Sequence, residues 1–140
     1  MKKIAACFAV LVLASCASTP KTAAVKPLYE VLTEQSDGGG NIRFYEILTE
    51  ANEIKMLQSD GKLKKKIAPG DVKTSNFIVL NMGEKKSGGY LIKVKSVEET
   101  ADKIIVTVAD QEPKGDVAAT EVSYPYTIVK INSKKAIVIK

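Results

Sequence analysis

No histidine and no tryptophan occur in this chain of 140 residues, and its two cysteines, Cys7 and Cys16, both lie close to the N-terminus. Without histidine, the commonest general base, the usual partner of a serine or cysteine nucleophile and the commonest metal ligand are missing together. Beyond Cys16 there is no thiol, so disulfides, thiolate nucleophiles and cysteine ligands for zinc are excluded from the rest of the chain. Asp, Glu, Lys and Tyr remain for acid–base work, but no spacing singles out a pair of carboxylates. The composition points away from an enzyme, and no cofactor or metal is expected.

Two motif frames lead to the same reading. Ser59-Asp60-Gly61-Lys62 fits the S-x-x-K frame of lysine-assisted serine hydrolases, but so does Ser18-Thr19-Pro20-Lys21 in a stretch of small and polar residues. A frame that recurs where nothing can fold is a chance match. Gly83-Glu84-Lys85-Lys86-Ser87-Gly88 has the glycine spacing of a phosphate loop. Gly89-Tyr90 then stands where the lysine and hydroxyl of that loop belong, so no nucleotide site is implied.

Long apolar runs are also scarce, and the clearest follows Met1-Lys2-Lys3. It is about ten residues long, which suits a secretory signal and is too short to span a bilayer. It closes on Leu13-Ala14-Ser15-Cys16, which resembles the bacterial lipobox, where the cysteine sulfur receives a diacylglyceryl group before cleavage in front of it. Residues 1–15 are therefore expected to be a lipoprotein signal peptide and Cys16 the lipid attachment site. Several acyl chains, each contributing about 0.8 kcal/mol per buried methylene, would hold the protein on a membrane. Residues 16–27, small and polar and carrying Pro20 and Pro27, read as a tether of up to about 35 Å when extended. Ala17 stands where inner-membrane lipoproteins of enteric bacteria carry aspartate. The expected location is thus the cell envelope, at the outer membrane.

Charge of either sign is not extreme. The formal net charge is +5, and loss of Lys2 and Lys3 with the signal would lower it by two. Lys62, Lys64, Lys65 and Lys66 form the one dense basic cluster, read as a solvated loop or edge rather than a nucleic-acid site. No nucleic-acid partner is expected.

Residues 28–140 read as a single β-rich domain, long enough to bury about two-thirds of its unfolded surface. Tyr29–Thr33 and Arg43–Leu48 are strand-like and flank the glycine-rich stretch 35–41, which suggests a hairpin. Thr49 to Asp60 reads in two ways: a helix capped by Thr49 and stopped at Gly61, with Glu50 and Glu53 in its first turn and Ala51, Ile54 and Leu57 buried, is favoured over a short strand at Glu53–Leu57. Asn76–Asn81 is an apolar run of strand length, suited to a central strand covered on both faces. Tyr90, Ile92 and Val94 alternate with Lys93 and Lys95, and Ile104, Val106 and Val108 repeat the pattern, as in strands with one wet face. Residues 121–131 and 134–139, joined by Asn132-Ser133, suggest a final hairpin. The expected fold is mainly β: an antiparallel β-sandwich or small barrel with one short helix.

The apolar strand at residues 76–81, Gly83, the loop ending Gly88-Gly89-Tyr90, two strands, Pro113 near Gly115, and the strand opened by Tyr124-Pro125-Tyr126 occur in an order that resembles the PrcB family, over about residues 76–131. Ser87 stands where the family pattern favours threonine, and Lys86 where proline is common. The resemblance implies a non-catalytic, lipid-anchored accessory that binds or stabilises a protease or another envelope protein. The candidate partner-binding residues are Gly88, Gly89, Tyr90, Tyr124, Pro125 and Tyr126 from these motifs, together with Lys85 and Lys86 for the basic, exposed composition of the loop. Each also has an architectural reading: the glycines as a positive-φ turn, the tyrosines as core aromatics, and the proline as the start of a strand.

Ser87-Gly88-Gly89-Tyr90 and Ser123-Tyr124-Pro125-Tyr126 are also distantly similar to the loops of chagasin-type cysteine-protease inhibitors, without the tryptophan or the arginine before proline. An inhibitor is therefore one alternative function, and a purely structural envelope lipoprotein is another.

Overall fold

The computed structural model describes residues 24–115 and 121–140, so the signal segment, Cys16 and most of the tether lie outside the described residues. In chain order the elements are β1 (Tyr29–Gln35), β2 (Phe44–Leu48), α1 (Ala51–Ser59), α2 (Asp71–Thr74), β3 (Asn76–Asn81), β4 (Leu91–Glu99), β5 (Lys103–Gln111), β6 (Tyr126–Ile131) and β7 (Ala136–Ile139). They form a four-stranded sheet in the order β1-β6-β3-β2 and a three-stranded sheet in the order β4-β5-β7. The two sheets face each other as an open sandwich, with α1 and α2 on the far side of the larger one. Among the described residues no helix is long and apolar enough to cross a membrane.

The expected double burial of residues 76–81 is what the structure shows. Ile78 and Leu80 of β3 pack with Ile92, Ile104, Val106, Val129 and Ile131 between the sheets. Phe77, on the opposite face, packs with Leu32, Leu48, Ile54, Leu63 and Ile67 under the helices. An unbroken apolar run is thus needed because both faces of β3 are interior. The alternation expected in β4 and β5 also holds at Ile92, Ile104 and Val106, all fully buried. A register shift between Val94 and Ser96 inserts Lys95 as an extra residue, which is why Val97 returns to the core side.

Both expected hairpins are corrected by the sheet order. β1 and β2 occupy opposite edges of the larger sheet, so the stretch 36–43 crosses the ends of β6 and β3 instead of turning back on itself. β6 already has β1 on one side and β3 on the other, leaving no edge for residues 136–139. β7 therefore changes sheets and pairs parallel to β5. The turn residues serve other ends: Asn132 donates through its backbone to Leu28 O at 2.8 Å and through its side chain to Pro27 O at 2.7 Å.

The helix expected after Thr49 forms, with changed boundaries. Glu50 is the N-cap, and Glu53 Oε2 accepts from the Thr49 and Glu50 amides at 3.1 and 3.0 Å, as in a capping box. Ile54 is buried and Leu57 half-buried, but Ala51 is exposed. The helix ends at Asp60, whose carboxylate accepts from the Lys62 amide at 2.7 Å, one residue before the expected Gly61 stop. Lys62, Lys64, Lys65 and Lys66 are exposed, and the adjacent Leu63 and Ile67 point inward. The second helix, α2, had no separate sequence signal. It is fixed by a buried ion pair in which Lys130 Nζ lies 2.9 Å from Asp71 Oδ2 and 3.4 Å from Glu30 Oε2. Asp71 also accepts from the Ala68 amide at 2.8 Å, so the carboxylate taken from water is fully engaged.

Val106→Asp places an unpaired carboxylate in the sealed core, and it should lower stability by more than about 3 kcal/mol or abolish folding. Lys93→Asp, on the wet side and losing a 3.6 Å pair with Glu34, should cost about 1 kcal/mol or less. Urea unfolding of the two variants checks the assignment of faces.

Candidate functional site

The strand register gives the larger sheet two distinct ends. Gln35, Asn81 and Tyr126 are neighbours at one end, and Tyr29, Asn76 and Ile131 are neighbours at the other. The described N-terminal residues join at the second end, where Val25, Lys26, Pro27 and Leu28 line a recess with Thr74, Glu99 and Asn132. The loops 36–43, 82–90 and 121–125, together with Pro113 after β5, gather at the first. A strand of seven residues separates the two ends by about 20 Å.

The two stretches singled out in the sequence meet at the loop end. Lys85 and Ser123 exchange backbone hydrogen bonds of 2.8 and 2.9 Å, and the Met82 amide donates to Pro125 O at 2.9 Å. Ser123 Oγ, buried, donates to Ser87 O at 2.7 Å. Lys85 Nζ sits 5.6 Å from the centre of the Tyr90 ring, a cation–π contact. Tyr124 donates through its hydroxyl to Glu84 Oε2 at 3.2 Å and through its amide to Asp37 Oδ1 at 3.0 Å. Partial desolvation, and then the Glu84 carboxylate, raise the Tyr124 hydroxyl above the usual tyrosine pKa.

The eight candidate residues thus divide by position. Lys86, Gly88 and Gly89 are exposed, Lys85, Tyr90 and Tyr124 are half-buried, and Pro125 is buried immediately before β6. Tyr126 packs toward the helix-side core, so Pro125 and Tyr126 hold the loops in place and present little surface. Gly89 has φ of +88°, and a Cβ there would lie 2.7 Å from Pro113 Cβ. The glycine requirement at that position is therefore both conformational and steric. Gly88 shares neither restriction.

Three contributors were not singled out by the sequence reading. Asn81, 1% exposed, accepts from the Gly40 amide at 2.8 Å through Oδ1 and donates to Gly40 O and Ile42 O at 2.9 and 2.6 Å through Nδ2. Gly39 crosses so closely that a Cβ would lie 2.3 Å from Asn81 Oδ1 and 2.8 Å from Tyr124 O. Arg43 reaches Asp110 with two hydrogen bonds of 2.7 and 3.0 Å, joining the start of β2 to the end of β5. The Asp110 hydrogen bond, with a further one to Tyr45, holds the Arg43 guanidinium above its already high pKa range. An amide closing an apolar run, as at Asn81, was the one available signal.

The loop end encloses a polar recess of about 260 Å³ lined by Ser36, Asp37, Gly88, Glu121, Val122 and Ser123. Ser87 and Ser123 direct their hydroxyls at main-chain carbonyls, and charged and aromatic groups of both signs surround them. This arrangement can hold a polypeptide surface through hydrogen bonds, paired charges and two half-exposed tyrosines.

The segment that builds this end, from β3 to just past β6, matches a known family over residues 76–132, described as PrcB C-terminal. This segment is similar to the PrcB family. The PrcB match includes the 83–90 loop, β4, β5 and the Tyr124-Pro125-Tyr126 strand start, whereas β1, β2, both helices and β7 fall outside it. An uncharacterized protein of Methanocaldococcus jannaschii is 42% identical over 56 residues, which is 40% of this chain and 34% of that protein. The chain thus spans about a third of the length of the curated relative it matches. No solved structure matches the chain.

Gly89→Ala should destabilise the PrcB segment by about 1–3 kcal/mol, because it combines left-handed backbone with a clash on Pro113. Gly88→Ala, facing open space, should stay within about 0.5 kcal/mol of the parent protein. Thermal unfolding of the two single variants separates the roles of the adjacent glycines.

Proposed function

We propose that this protein is a non-catalytic accessory, anchored in the cell envelope through a lipid on Cys16, whose loop end binds a partner protein such as a protease. The observation that carries the reading is the placement of the two ends. The PrcB loops gather at one end of the larger sheet, and the N-terminal chain joins at the other, so a lipid anchor would present the loops away from the membrane. The lipobox-like Leu13-Ala14-Ser15-Cys16 supports the anchor, and the PrcB family match supports association with a protease complex. The absence of histidine from the sequence and the engagement of both loop serines in structural hydrogen bonds support binding over turnover. Lys85, Lys86, Tyr90 and Tyr124 are the side chains placed to make the contact.

Cys16→Ser should remove the protein from the membrane fraction or leave an uncleaved precursor, and a processed, unacylated chain that stays with membranes would contradict the anchor. Affinity capture of the intact protein, with mass spectrometry of what accompanies it, tests the partner. Lys85→Glu with Lys86→Glu should weaken that capture while changing unfolding by about 1 kcal/mol or less, since one lysine is exposed and the other loses only a surface cation–π contact. Full retention of the partner by the folded double variant would remove the loop from the interface. Stoichiometric inhibition of a cysteine protease would replace the accessory reading with an inhibitor.

A further inference from the structure

The two sheets have four edge strands, and three carry features that discourage further pairing. β1 is broken by a register shift between Val31 and Thr33 and bears Glu30 and Glu34. β4 has the Lys95 bulge, flanked by Lys93, and β7 is four residues long between lysines. β2 has no bulge, and its one charged residue is Glu46. Its register against β3 is unbroken from Phe44 to Leu48, it contains neither proline nor lysine, and it exposes Phe44, Tyr45 and Ile47 by 42%, 38% and 36%.

Beside this edge, α1 leaves part of the sheet uncovered. A mainly apolar cleft of about 180 Å³ opens there, lined by Glu46, Leu48, Glu53, Met56, Leu57 and Val79. Met56, one of the lining residues, is 74% exposed. The two charged groups lining the cleft are both acidic. Lys55, the one cation of α1, lies about 200° around the helix from Glu53 and so projects from the other side.

We propose that the outer edge of β2 binds an extended segment of a partner protein by strand addition, with one apolar side chain in the cleft and lysine or arginine two residues to either side. The backbone pairing follows from the open edge, since alternate residues of an edge strand direct N–H and C=O outward. The period-2 spacing places the apolar residue and both cations on the α1 face, opposite Leu57, Glu46 and Glu53. The acidic rim favours such a partner over a second copy, because two-fold pairing of β2 with itself would bring two sets of Glu46 and Glu53 together. Apart from Val79, this surface lies outside the PrcB segment, and it is separate from the loops assigned to partner binding above.

The test uses the full-length protein in detergent and a labelled peptide, Thr-Lys-Val-Leu-Val-Lys-Thr, with Thr-Glu-Val-Leu-Val-Glu-Thr as control. Fluorescence anisotropy should show the lysine peptide binding at least about tenfold more tightly, as two charge reversals in partly exposed pairs allow. Glu46→Lys should abolish that preference. Glu53→Gln, which keeps the capping acceptor of α1, should reduce it. Bound peptide should slow amide exchange at alternate residues of 44–48, while Ile47→Lys should weaken both peptides by blunting the edge. The proposal is overturned if the lysine peptide does not bind, if it binds without protecting β2, or if folded Glu46→Lys keeps the original preference. A dimer by light scattering that dissociates in Ile47→Lys would assign the edge to a second copy and overturn it too. The Lys85→Glu, Lys86→Glu variant should bind the peptide unchanged, so failure here is distinguishable from failure of the loop-end interface.

Discussion

A buried side-chain amide is stabilised by partners within the protein, and Asn81 finds them at the end of β3, a strand buried on both faces. Its Oδ1 and Nδ2 bind the backbone of Gly40 and Ile42, tying the 36–43 stretch to the end of β3. Leaving a buried amide unpaired would cost about 1–3 kcal/mol for each lost group. The 36–43 stretch is therefore drawn down over β3, and the rest of the loop end builds on it: Gly39 reaches Tyr124 O, Asn41 O accepts from Glu84, and Lys85 pairs with Ser123. The loop that carries the exposed lysine and glycines is thus set by these backbone contacts together with its own positive-φ glycines, Gly83 and Gly89.

Sheet order explains why this convergence occurs at one end. With β1 and β2 on opposite edges, their connection has to run over the ends of β6 and β3. β4 starts and β5 finishes at that same end, which brings Pro113 against Gly89 and Asp110 against Arg43. At the other end the polar groups are spent on fastening: Asn132 holds residues 27 and 28, Lys134 donates to Thr49 O and Ser75 O, and Lys135 pairs with Glu99. The molecule thus has one end where the 36–43, 82–90 and 121–125 loops converge and another where polar side chains fasten neighbouring backbone.

Much of the sandwich could be read from residue order. The double-faced strand at Asn76–Asn81, the alternation in β4 and β5, and the helix carrying Glu53 all followed from local pattern. The two hairpins did not, and the reason is physical: pairing is decided by which edges remain free, and no local signal reveals that β6 has two neighbours already. α2 escaped for a related reason, since its position depends on Asp71 meeting Lys130 nearly sixty positions away in sequence. At the loop end, Gly89 and Tyr90 were legible because left-handed turns and aromatics leave marks in sequence. Asn81, Gly39 and Arg43 act through contacts with distant backbone or distant side chains, and such contacts leave little local trace.

The central claim is that the loop end behaves as one unit held by the buried Asn81 amide. Native-state amide hydrogen exchange of the parent protein and Asn81→Ala measures this most directly. The account predicts that Gly39, Gly40, Glu84, Lys85 and Ser123 lose protection together in the variant, while the amides of the β4–β5 pairing keep theirs. Faster exchange confined to Gly40, with the other four amides unchanged, would show that the loops are held independently and would contradict it.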